Sequence, residues 1–275
     1  MEFKEKPYLD ESYFDESILP KNKMNISTIS LSFQMNTIVD IDNISKYIEL
    51  KKNGICSIDY KGKQKSINVK KKKKKRKENN FYNSITIVIM GIASESINFK
   101  LFKNGGVQAA GCKNIIDGNF AIYTLVSELS KEFAIFDKTK QKMTDVKFIL
   151  QPIKVSDLKI NLINVNLKLR FHINRESLHK ILLSTNTPCS FEKCEHAGVK
   201  IKFTPSNKTT PIHILIFESG SIVITGSKNE KHILESYNYV TNLIMSNKKE
   251  ISKRPYEELL FNVLNSNFKH LMIQS

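Results

Sequence analysis

Apolar positions along the chain follow two periods. Residues 85–92 and 212–217 are short runs rich in β-branched side chains, bounded by turn residues, and they predict buried strands. Downstream of each, Phe120, Leu125, Leu129 and Phe133 in one half, and Ile233, Tyr237, Val240 and Ile244 in the other, recur close to helical spacing and predict long one-sided helices. Strand-like segments at 25–33 and 158–169 each precede a short helical stretch. The predicted unit is strand, helix, several strands, long helix, and it occurs twice.

The duplication is visible in the residues. Phe102-Lys-Asn-Gly105-Gly-Val107-Gln108-Ala-Ala110-Gly111-Cys-Lys113-Asn114 lies against Phe217-Glu-Ser-Gly220-Ser-Ile-Val223-Ile-Thr225-Gly226-Ser-Lys228-Asn229, with Phe, both Gly, Lys and Asn coincident at a constant offset of 115. Gly105 and Gly220 fall where a strand must reverse, and glycine supplies the positive φ of a tight hairpin. In 212–217 one strand face carries Ile212, Ile214 and Ile216, and the other carries His213, Leu215 and Phe217. A single helix layer covers only one of these faces, and the sequence offers no second layer, so the other face must meet a partner or ligand. The fold class expected is α+β with two pseudosymmetric repeats.

Charge adds a partner class. The 275 residues carry 43 Lys+Arg against 27 Asp+Glu, a net +16, which points to a polyanion. Eleven of the basic residues lie between Lys61 and Lys77 with no acidic residue among them, so residues 61–80 are expected to be a lysine-rich, disordered inserted loop. The first 21 residues are an acidic tail, expected either to be disordered or to fold over a basic surface as a nucleic-acid mimic. Only four residues are Arg, which favours phosphate contact over guanine reading in the major groove. Four scattered cysteines form no disulfide framework, and no apolar run approaches 18 residues, so neither secretion nor a membrane-spanning helix is expected.

These motifs resemble the TATA-box-binding protein family. Leu215-Ile216-Phe217-Glu-Ser-Gly220-Ser-Ile-Val223-Ile-Thr225-Gly226-Ser-Lys228 is close to that family's Leu-Ile-Phe-x-Ser-Gly-Lys-x-Val-x-Thr-Gly-Ala-Lys, and Val88-Ile89-Met90 with Phe102, Gly105, Val107, Gly111 and Lys113 fits the same template. Asn25-Ile26 and Arg170-Phe171-x-Ile173 fit the openings of the two repeats. The resemblance implies a TBP-like saddle: one curved antiparallel sheet with helices on the convex face, repeats at 22–136 and 158–250, a connection at 137–157, and a helical extension at 251–275. It also implies minor-groove binding and bending of A+T-rich promoter DNA by phenylalanine wedges.

Carried over position by position, Phe102 and Phe217 match one wedge of each pair, and Ile85 and His196 fall at their companions. Asn25 matches one central asparagine. The other falls at Leu162, with Asn161 and Asn164 beside it, and Asn164 is taken as the DNA contact. Ala110 and Thr225 match the flanking threonines, and Lys100, Gln108, Leu215 and Val223 form the floor, with Lys202 also facing DNA. Polar replacements on the floor are expected to relax base discrimination, leaving backbone charge and shape to carry more of the affinity. Partners implied by the resemblance are promoter duplex, transcription factor IIB-like and IIA-like proteins, with Glu192 at a IIB-type contact, and the RNA polymerase machinery. A monomer on DNA is expected, with no enzyme activity and no cofactor. The implied location is the nucleus, or a viral factory or virion if the source is a large DNA virus.

Competing readings are a protein-interaction scaffold without sequence-specific DNA binding, favoured by Lys100, Gln108 and His196, and a saddle domain of a DNA-repair enzyme. Cys189, Cys194 and His196 form a cluster whose spacing is not a standard zinc pattern, so no metal is expected.

Overall fold

The computed structural model describes residues 7–9, 14, 19–20, 24–67, 83–92, 95–137, 141–192, 197–207 and 209–253. They fall into two compact units, one of Ile26–Ile163 with Met1–Ser17, the other of Asn164–Ser275 with Ile18–Asn25. The boundary lies inside a strand, further along than the connection at 137–157 expected from the sequence.

In chain order the elements of the first unit are β1 (Asn25–Gln34), α1 (Ile41–Tyr47), β2 (Ile55–Tyr60), β3 (Lys63–Ser66), β4 (Ser84–Met90), β5 (Ser96–Phe102), β6 (Gly106–Cys112), α2 (Ile115–Leu129), β7 (Glu132–Asp137) and β8 (Lys142–Lys147). Strand β9 (Ser156–Lys168) begins in this unit and ends in the second. The first unit's sheet runs β9-β1-β6-β5-β4-β2-β3, while β7 and β8 form a separate hairpin. One face is an apolar layer of Ile85, Ile87, Ile89, Ile97, Phe99, Leu101, Val107 and Ala109, all buried. Helices α1 and α2 pack on its strands, α2 bringing Ala121, Ile122, Leu125 and Leu129. Each such fully buried Ile, Leu, Val or Phe side chain contributes about 1.5–3 kcal/mol.

Four expectations change here. Residues 61–66 are not part of a disordered loop: Lys63–Ser66 pairs with β2. The pleat turns Lys65 toward α1, where its ammonium donates to the Ser45 carbonyl at 2.6 Å and favours the helix C-terminus. Gln64, on the opposite face, donates to the Ser57 hydroxyl. The remainder of the lysine run, from 68 to 80, lies outside the described residues. Phe133 continues the helical spacing but belongs to β7, since α2 ends at Leu129. The segment expected as a plain connection contains β8, paired with β7 from Glu132↔Lys147 to Asp137↔Lys142. Finally, Tyr8, Leu9 and Phe14 of the acidic tail are described, and Leu9 and Phe14 are buried.

The second unit continues with α3 (Arg175–Ser184), β10 (Cys189–Ser190), β11 (Gly198–Phe203), β12 (Ile212–Phe217), β13 (Ser221–Ser227), α4 (Glu230–Ser246) and α5 (Lys248–Ile251). Its strands run β10-β11-β12-β13-β9. Ile212, Ile214, Ile216, Ile222 and Ile224 are buried, as are Leu178 and Leu182 of α3 and Ile233, Val240 and Ile244 of α4. The helix spacing read from the sequence therefore selected the right face. Residues 254–275, where a helical extension was expected, lie outside the described residues.

Both units build the same hairpin. Gly105 and Gly220 adopt φ +80° and +77°, and each amide donates at 3.0 Å to the carbonyl of Phe102 or Phe217. A side chain at either glycine would run into a backbone carbonyl, that of Thr37 or Phe171. The long helices open identically too, with Asn114 and Asn229 accepting from the amides of Asp117 and His232.

Candidate nucleic-acid interface

Strand alternation leaves each unit a second face. In the first unit it carries Ser84, Thr86 and Val88 of β4, Asn98, Lys100 and Phe102 of β5, Gln108 and Ala110 of β6, and Ser30 and Ser32 of β1. Apart from Ser84, these are half-exposed or exposed. Phe102 closes β5 with Ser84 directly opposite, and the Lys100 ammonium lies 5.4 Å from its ring centroid. Phe102 shares a groove with Gln34, Gln108 and Lys159. The Ser32 hydroxyl donates to Asn161 on β9 at 3.1 Å, placing Asn161 on this face.

The second unit's open face has the same plan and different chemistry. Phe217 stands opposite Gly198, and a methyl group there would lie 3.2 Å from two ring carbons, so the ring lies across the glycine. Leu215 and Val223 pair beside it, Lys200 faces Leu215, and Lys202 faces His213. Thr225 shares the pleat direction of Val223. On β9, Val165 and Leu167 are buried, Lys168 donates to the Ser219 carbonyl and Ser221 hydroxyl, and Asn164, between the buried Ile163 and Val165, is half-buried with its Oδ1 away from solvent. Asn25 is exposed at the start of β1.

Register converts the repeat into pairs of equivalent positions: Phe102 with Phe217, Ser84 with Gly198, Thr86 with Lys200, Lys100 with Leu215, Gln108 with Val223, and Ala110 with Thr225. The first unit's floor is polar where the second's is apolar. Ile85 is a correction. It pairs with Leu101, is fully buried on the helix-covered face, and is not beside Phe102. Counting along the sequence toward the family motif placed it one residue from the open side of the pleat. Two residues back from Gly198 stands His196, and two back from Ser84 stands Tyr82; both lie outside the described residues.

The hairpin behind Phe217 is anchored by charge. Glu218 accepts from Arg175 at 2.7 Å and from the Lys253 ammonium, and these cations hold its carboxyl below the usual range, Lys253 first. Glu192 follows β10 and is exposed. Among the described residues no group of three or more His, Cys, Asp or Glu could hold a metal. Cys189 is half-buried, its thiol pushed up by burial, while Cys194 and His196 lie outside the described residues.

The model of the family "Transcription factor TFIID (or TATA-binding protein, TBP)" matches residues 157–246. A "TATA-box-binding protein-like" protein of Acanthamoeba polyphaga mimivirus is 31% identical over 93% of this chain and 73% of that protein. The chain belongs to the TATA-binding protein family. A second relative, "Uncharacterized protein 335L" of Invertebrate iridescent virus 6, is 25% identical over 80% of this chain and 62% of its own length. The solved structure "Methanococcus jannaschii TBP" superposes with TM-score 0.51 at 16% identity, covering 82% of this chain and 99% of that one. The fold is therefore TBP-like and α+β, and the chain is a divergent, transcription-related TBP-like protein akin to viral ones. No helix among the described residues is long and apolar enough to cross a membrane.

Proposed function

We propose that the chain is a general initiation factor that binds and bends A+T-rich promoter duplex through the minor groove and recruits initiation factors and RNA polymerase. The observation supporting this most is that both units present one phenylalanine at the same hairpin position on a face their helices leave open. A ring there can enter a base step, and base–aromatic stacking contributes about 1–3 kcal/mol per base. Lys200 and Lys202 on the second face, and Lys100 on the first, supply phosphate contacts that carry salt-sensitive affinity. Asn164, Asn25 and Thr225 are the hydrogen-bonding groups for the degenerate acceptor pattern of the minor groove. Glu192 is proposed as a contact for a IIB-like partner, with a IIA-like partner at the first unit, in a viral setting or its host's nucleus.

A scaffold role with weak DNA binding is the second reading. It is favoured by Ser84 and Gly198, which put no apolar companion directly opposite either phenylalanine. The two readings separate in one assay. Energy transfer between dyes on the ends of an A+T-rich duplex should rise when the chain binds, and Phe102→Ala with Phe217→Ala should abolish that rise while keeping most of the salt-dependent affinity. A bound duplex with no end-to-end shortening at moderate salt defeats the wedge proposal.

A further inference from the structure

Helices α2 and α4 diverge at one informative place. Their caps share one geometry, φ −153° and ψ 176° at Asn114, φ −149° and ψ 172° at Asn229, so the offset of 115 aligns the two helices residue by residue. Ile233 and Leu234 in α4 correspond to Gly118 and Asn119 in α2. Ile233 is fully buried and fills its own space. Glycine and asparagine are weak helix formers, so Gly-Asn inside α2 is unfavourable locally.

The N-terminal segment occupies what this pair leaves open. The Leu9 amide donates to Asn119 Oδ1 at 2.7 Å, and Asn119 Nδ2 donates back to the Leu9 carbonyl at 2.7 Å. A side-chain amide used this way reads both main-chain groups of one residue in a bound segment. Asn119 is itself buried, so an empty site would leave its amide to water or unsatisfied. Leu9 is 1% exposed and sits over Gly118, where a methyl group would lie 2.9 Å from Leu9 Cδ1. Leu31 and Cys112 complete that slot. Beside it, the rings of Tyr8 and Tyr123 lie 4.6 Å apart.

We propose that this surface of α2 is a docking site for a short segment carrying an aromatic–leucine pair. Its occupant is the chain's own N-terminus, through Tyr8 and Leu9, held reversibly, so that the same segment supplied in trans competes for the site. The site reads main chain through Asn119 and side chain through the Gly118 slot, and it is independent of the open sheet faces. Since α4 has Ile233 and Leu234 at these positions, the site is not repeated on α4.

The test uses full-length chains and a fluorescein-labelled peptide of residues 5–17. By fluorescence anisotropy, the Leu9→Ser chain, whose own segment is weakened, should bind the peptide at least tenfold more tightly than the wild type. Adding Gly118→Ala or Asn119→Ala to it should reduce that affinity at least fivefold. Equal binding to the wild type and Leu9→Ser chains, or indifference to both helix substitutions, overturns the proposal. Gly118→Ala alone favours the helix and keeps the fold, and gives a second measurement. Amide exchange at Leu9 should be at least tenfold faster in that variant than in the wild type, and an unchanged rate overturns the proposal as well.

Discussion

Substituting Gly220 by alanine tests whether the hairpin geometry sets the position of Phe217. Gly220 holds φ +77°, where an L-residue costs about 1–2 kcal/mol. The new methyl group would also run into the Phe171 carbonyl, forcing a backbone shift of the kind that costs about 1–3 kcal/mol in packed regions. Reduced freedom of the unfolded chain returns roughly 0.4–1 kcal/mol. The net loss is about 1–5 kcal/mol, a large share of a stability that is typically about 5–15 kcal/mol. Gly226 is the matched control. It has φ +101°, but an added methyl group there meets nothing nearer than 3.7 Å, so Gly226→Ala should show the conformational cost alone. Urea unfolding followed by circular dichroism measures both variants. Because the Gly220 amide donates to the Phe217 carbonyl, Gly220→Ala should also weaken duplex bending at temperatures where the chain stays folded. If the two variants lose the same stability, the carbonyl collision is not what fixes this turn.

Two further outcomes follow from titrating groups. The Cys112 thiol is buried, and burial with the neighbouring Asp117 charge pushes it up to about 12, so a thiol reagent at pH 8 should label it only as fast as the native structure opens. Labelling at the rate of an exposed cysteine would contradict the burial. Glu218 is held below its ordinary value by Lys253 and Arg175, so the stability it contributes is present above the unfolded carboxylate value of about 4.3 and lost as pH falls through the lower folded value. The stability difference between wild type and Glu218→Gln should therefore shrink below about pH 4.3. A difference that stays constant down to pH 3 would show that the ion pairs contribute nothing.

The duplicated hairpin was legible in the sequence because it rests on short-range rules. Gly105 and Gly220 are required by positive φ, Asn114 and Asn229 by helix capping, and the strand runs by period-two burial, and each of these leaves its mark within a few residues. Phe102 and Phe217 followed from that pattern. Ile85 failed because a strand face depends on register, and an offset of one residue reverses the side. Lys63 and Lys65 failed because charge density over the whole run concealed four residues able to pair with β2. Phe133 kept the helical spacing past a helix end that no glycine or proline marked. The docking of Leu9 had a signal that went unused: Gly118, which lies in α2 just ahead of the periodic positions, stands where the repeat has isoleucine, and a missing side chain inside a helix implies that something else fills the space.

The unequal floors of the two open faces bear on orientation. On the proposed function, two identical repeats would offer a bound duplex the same surface twice and leave its direction along a gene undetermined. Lys100 and Gln108 in one unit against Leu215 and Val223 in the other, with Thr86 against Lys200, remove that degeneracy. A difference of only about 1.4 kcal/mol between the two arrangements makes one of them tenfold more populated. On the proposed function, polarity along DNA is thus a property that duplication alone could not supply, and divergence of the floors does.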